Sequence, residues 1–81
     1  MVVRGGNLAL VIAFATEADK AGPPGAHARR RLEEIGGRCD GGPTRALVFT
    51  IPLSVGVARV EQVLALITAA APGAGWYYGN R

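Results

Sequence analysis

The 81-residue chain has one cysteine, one histidine, one tryptophan and one methionine, and aromatic residues make up only 6% of it. A single cysteine excludes an internal disulfide. Cys39 fits a reducing, cytoplasmic setting or serves as a small apolar filler. A single histidine, His27, leaves a nucleophilic Cys39 with one candidate base and excludes a Cys/His metal cluster. No phosphate-cradling glycine loop of the P-loop type is present. Acidic side chains number six, and the ones near expected strand ends, Glu17, Asp19 and Asp40, have no spacing that makes a pair converge on a metal or on acid–base work. The inventory therefore predicts no enzyme, no cofactor and no metal. The longest apolar run, Leu8–Ala15, is too short to span a bilayer. With Arg4 before it and Ala13-Phe14-Ala15 as a small-x-small step, it also mimics a secretory leader. A buried strand is the reading preferred.

What is present is apolar but small. Hydrophobic residues reach 49% with twelve glycines, enough to fold and too much for disorder. The length corresponds to one domain, residues 1–81. A chain this short buries only about 60–65% of its unfolded surface, so help from a second copy or a partner is expected. The net charge of +3 is carried almost wholly by arginine.

The stretch Arg45–Tyr78 organises the rest. Leu47-Val48-Phe49-Thr50-Ile51 has the branched and aromatic content of a strand, closed by Pro52. Val57, Val60, Val63, Leu64, Ile67 and Ala71 recur at helical spacing from 57 to 71, with Leu66 widening the stripe. Ser54 is the expected N-cap, and Pro72-Gly73 the stop. Gly75-Trp76-Tyr77-Tyr78 reads as a short aromatic strand or a terminal arm. Its aromatics are candidate anchors at an interface, with one tyrosine exposed because neighbours in a strand face opposite ways.

Upstream, Leu8–Ala15 reads as a strand buried on both faces. Thr16–Gly25 reads as a loop and Ala26–Ile35 as a helix stopped by Gly36-Gly37. On that helix Arg29 with Glu33, and Arg30 with Glu34, stand at pairing distance, each pair contributing ~0.3 kcal/mol. Arg38–Asp40 and the strand from Arg45 flank the turn residues Gly41-Gly42-Pro43-Thr44 as a hairpin. The order is then β-α-β-β-α-β, an α+β, ferredoxin-like two-layer sandwich with the first and third strands central. The rival is a parallel β-α-β-α-β sheet, should Arg38–Asp40 be loop.

Two resemblances add to this. Gly25-Ala26-His27-Ala28-Arg29 resembles the histidine motif of the phosphotransferase phosphocarrier family, which implies a phosphate-accepting His27 at a helix start. It departs at Ala26 and Arg30. Ala58-Arg59-Val60-Glu61-Gln62-Val63-Leu64-Ala65-Leu66, followed by Gly75-Trp76, resembles the C-terminal part of the ribonuclease E inhibitor B family. That resemblance implies a ferredoxin-like fold and a non-catalytic protein that binds a nuclease and restrains RNA cleavage. It carries over Glu61, Gln62, Gly75 and Trp76 as structural or contact positions. Ala74 stands where that family has an acidic residue, and the chain is basic where its studied member is acidic.

The sequence thus predicts a regulatory protein-interaction domain, with Glu61, Gln62, Trp76, Tyr77, Val11 and Val48 as partner-binding candidates. A nucleic-acid-binding domain using Arg29, Arg30, Arg31, Arg38 and Arg45 is the alternative, though blocks this short are ordinary on solvated helix faces. In the expected fold Leu8, Leu10, Ile12, Phe14, Leu47, Phe49 and Ile51 meet the helices. Ala9, Val11, Ala13, Ala15, Val48 and Thr50 are left on the other face, an apolar surface expected to be covered by a second copy or a partner protein.

Overall fold

The computed structural model describes residues 6–79. Four strands, β1 (Asn7–Ala13), β2 (Arg38–Cys39), β3 (Ala46–Pro52) and β4 (Gly75–Tyr78), make one sheet in the order β2-β3-β1-β4. Every neighbouring pair is antiparallel, which removes the parallel rival. The two most apolar strands are the central ones, as expected. Helices α1 (Glu17–Ala21), α2 (Pro23–Glu34) and α3 (Val57–Ala69) complete the chain, with a 3-10 turn at Leu53–Val55. It is a small α+β domain.

The β1–β3 register sets Leu8 opposite Ile51, Leu10 opposite Phe49 and Ile12 opposite Leu47. With Phe14, all but Leu8 of these are buried, and they pack against Ala28 and Leu32 of α2 and Val60, Val63, Leu64 and Ile67 of α3. Leu8 packs on the rim of the same cluster. The period of two in the strands and of 3.6 in the helices thus meet in one core.

Several expectations are corrected. Residues 17–21 form a helix, where the Gly, Pro and Ala content suggests loop. Thr16 is in an extended conformation and its Oγ1 accepts the Asp19 N–H at 3.0 Å, and Glu17 and Asp19 sit in the first turn, where carboxylates are favoured. Helix α2 begins at Pro23, three residues before Ala26, because the first helical positions have no use for the N–H that proline lacks. Ser54 caps nothing. It lies in the 3-10 turn, and α3 starts from Gly56 at φ 91° with no side-chain cap. Val57 and Leu66 are 47% and 50% exposed. Val57 is the first residue of α3, ahead of the turns that cover the sheet, and Leu66 faces the groove between the helices. The only helix ion pair among the described residues is Arg31 with Glu34, three apart at 3.8 Å, in place of the pairs from Arg29 and Arg30.

Candidate interaction surface

Both long helices pack on the side of the sheet that carries Leu10, Ile12, Leu47 and Phe49. Its other side is built from the alternate residues. Ala9 faces Thr50, Val11 faces Val48 and Ala13 faces Ala46 across β1 and β3. At one margin Val11 faces Tyr77 and Ala13 faces Gly75. At the other, Arg38 faces Thr50. Tyr77 is 59% exposed, and the valines and alanines of β1 and β3 on this face are partly exposed. Ala15, expected here, lies beyond the end of β1 and is exposed.

The hydrogen-bonded polar groups of the face lie along the β2 margin, and Asn7 stands at the start of β1 opposite Pro52. Thr50 Oγ1 donates to Asp40 Oδ2 at 2.7 Å, and Arg38 Nε donates to Asp40 Oδ1 at 3.1 Å. Among the described residues, the centre and the β4 margin carry no charge.

The six partner-binding candidates therefore divide. Val11, Val48 and Tyr77 share the open face. Glu61 and Gln62 lie on α3, and Trp76, in β4, turns toward the helix side. The Tyr78 hydroxyl donates to Glu61 Oε2 at 2.8 Å, tying β4 to α3. Burial pushes the Tyr78 phenol up to about 12, with further upward contributions from the bond to Glu61 and from that carboxylate's charge. Trp76 packs edge-on against Tyr78, ring centroids 5.1 Å apart, at the rim of the core. Gln62 lines a groove of about 230 Å³ between α2 and α3, with Arg31, Glu34, Ile35, Arg59, Val63 and Leu66.

The five arginines of the nucleic-acid alternative are dispersed. Arg29, Arg30 and Arg31 lie on α2, Arg38 holds Asp40, and Arg45 Nη1 donates to the Ala15 carbonyl at 3.2 Å. His27 is the fifth residue of α2, since the helix starts at Pro23. The first two positions are prolines without N–H groups, so the helix end expected to receive phosphate lacks two donors. Cys39 is free and half-buried on the helix side. Among the described residues no group of three or more His, Cys, Asp and Glu could hold a metal ion, and no helix is long and apolar enough to cross a membrane. Sequence reasoning missed the Tyr78–Glu61 bond, which joins residues 17 apart, and the Arg38–Asp40–Thr50 network, for which the hairpin register is the signal.

These features define a small α+β domain with a helix-covered sheet face and an open one. By its match over residues 1–73, the chain belongs to the family described as Domain of unknown function (DUF4265). No curated protein matches it. A similar solved structure is the solution structure of the C-terminal domain of the MgtC protein from Mycobacterium tuberculosis, 21% identical, covering 96% of this chain and 94% of that one, with a TM-score of 0.46.

Proposed function

We propose that this domain is a non-enzymatic protein-interaction and regulatory module whose working surface is the open face of the sheet. The observation that carries the reading is the uncharged floor of Ala9, Val11, Ala13 and Val48, edged by the exposed ring of Tyr77. Apolar surface of this kind is stabilised by cover, at about 25 cal/mol per Å² removed from water. The finer fold reading is ferredoxin-like. It is supported by the β2-β3-β1-β4 order with every pair antiparallel and the helices between β1 and β2 and between β3 and β4. The resemblance of α3 to the ribonuclease E inhibitor B family makes an RNA-processing enzyme the partner to try first. A cytoplasmic setting belongs to the same reading and is supported by the lone free thiol of Cys39.

The test is retention of cellular proteins by the wild type and by Val11→Glu/Val48→Lys. These two positions face each other, so the introduced charges pair across the strands and the fold is expected to keep its circular dichroism. The expected outcome is a retained protein that the variant loses and that Arg59→Glu, altered in the helix layer, keeps. Equal retention by all three would refute the reading. A salt titration of RNA binding supplies the second arm, because binding through the arginines would weaken steeply with salt.

A further inference from the structure

We infer that two copies of this chain join through the outer edge of β4, extending one sheet into the next and setting their open faces side by side. The backbone register points to it. Gly79 N–H donates to the Ala9 carbonyl at 2.7 Å, and Ala9 continues the register in which Val11 faces Tyr77 and Ala13 faces Gly75. In an antiparallel pair the bonded residues alternate. Gly75, Tyr77 and Gly79 therefore turn their backbone groups toward β1, and Trp76 and Tyr78 turn theirs outward. Among the described residues no strand lies beyond β4.

The two edges of the sheet are not alike. The β2 edge is two residues long and carries the Arg38–Asp40 pair, the charged and shortened kind of edge that resists pairing. The β4 edge is four residues, Gly-Trp-Tyr-Tyr, with no charge and no proline. An uncharged edge with outward N–H and C=O groups is a template for another strand.

A second copy fits it with two-fold symmetry. With the axis beside Tyr77, Trp76 N–H donates to the Tyr78 carbonyl of the second copy and the Trp76 carbonyl accepts from its Tyr78 N–H. The symmetric pair repeats this. Tyr77 then stands directly opposite Tyr77 of the second copy on the open face, and Trp76 stands beside Tyr78 of the second copy on the helix face. Cross-strand aromatic pairs of this kind favour pairing.

Area gives the arrangement a use, and here it deepens the function proposed above. Strands of seven, seven, four and two residues, with ~3.3 Å per residue and ~4.8 Å between strands, give an open face on the order of 300 Å². A stable protein interface takes about 800 Å² from each partner. One face falls well short, and two joined at β4, about 600 Å² together, come to the lower end of the range of roughly 600–1,000 Å² per partner.

The test is molar mass in solution at about 100 µM chain, in the range where weak dimers form. The wild type is expected at twice its 8.4 kDa chain mass. Tyr77→Lys and Tyr77→Glu should each run as folded monomers, since Tyr77 is exposed in the single chain and like charges directly opposite oppose pairing. Mixing the two should restore the dimer, with a dissociation constant at least tenfold below that of either variant alone. Val11→Glu/Val48→Lys should remain dimeric, because those side chains stand one and two strands in from the edge, where the introduced charges pair with each other. A monomeric wild type, or a Tyr77→Lys variant that stays dimeric, would overturn the inference. Dimers lost in the Val11/Val48 variant and kept in Tyr77→Lys would mean that copies meet face to face, which overturns the edge pairing and leaves the open-face reading standing. A dimer that behaves as expected while the open face retains no protein would sink that reading alone.

Discussion

Gly25→Ala is a substitution for which local and tertiary physics predict opposite signs. Gly25 is buried in the first turn of α2. Helix propensity favours alanine over glycine by up to about 1 kcal/mol, and the unfolded chain loses freedom as well. On propensity alone the variant is stabilised. The structure reverses this. A Cβ at position 25 would fall on the carbonyl oxygen of Lys20, 2.6 Å from its carbonyl carbon and 3.1 Å from its Cα. The carbonyl oxygen is the nearest atom and a Cβ keeps at least about 3 Å from such a neighbour, so α1 and α2 must part by well over 1 Å. That movement strains Gly22 N–H to Ala18 O (2.8 Å) and Ala26 N–H to Gly22 O (3.1 Å), the bonds that hold the α1–α2 corner. Overpacking costs about 1–3 kcal/mol, and backbone cannot swing aside as a side-chain tip can, which sets this site at the upper end. After the propensity gain the expected net loss is about 2 kcal/mol. For a domain of this size that lowers Tm by roughly 8–16 °C. Thermal unfolding followed by circular dichroism measures it, with Gly75→Ala as the control, since a Cβ there meets nothing within 4 Å. A Gly25→Ala protein that melts at or above the wild type would refute the argument that the corner is closed by backbone contact.

Three further outcomes are expected. Leu64→Ala removes a fully buried side chain of α3 and should cost 2–5 kcal/mol in urea unfolding. Thr44 is a β-branched residue at φ 43°, a conformation that glycine or asparagine adopts more readily, so Thr44→Asn should stabilise by about 0.5–1 kcal/mol; an unchanged urea midpoint would show the turn to be unstrained. The raised Tyr78 pKa carries a pH signature. The folded protein holds the phenolic proton more tightly than the unfolded chain, so stability is full below pH 10 and falls as pH rises from 10 toward about 12. Tyr78→Phe should flatten the part of that decline due to this residue, which alkaline urea titrations of the two proteins would resolve.

Much of the molecule was legible in the residues themselves. Alternation placed Leu10, Ile12, Leu47, Phe49 and Ile51 on one side of the sheet, because a strand's side chains change face at every residue. The 3.6 period picked out Val60, Val63, Leu64 and Ile67, and the two-glycine stop after Ile35 stood where α2 ends. These are local rules, and each needs only the residue and its near neighbours. Helix α1 was also written locally, in Thr16 and Asp19, but five residues with no buried side chain leave no hydrophobic period to find.

Only the tertiary structure decided the rest. Alternation sets Tyr77 apart from Trp76 and Tyr78, but strand register is set by distant partners, so it alone decided that Tyr77 takes the open face and that β4 is an edge. Glu61 is a contact candidate on sequence grounds, and the approach of β4 to α3 adds the bond from the Tyr78 hydroxyl to its carboxylate. Lys20 Nζ reaches the carbonyls of Gly42 and Thr44 at 2.6 and 3.0 Å, and Gly25 has no room for a methyl group. Both follow from how elements meet: Lys20 reaches carbonyls 22 and 24 residues on, and Gly25 lies against Lys20 across the α1–α2 corner, and no periodicity along the chain sets either approach.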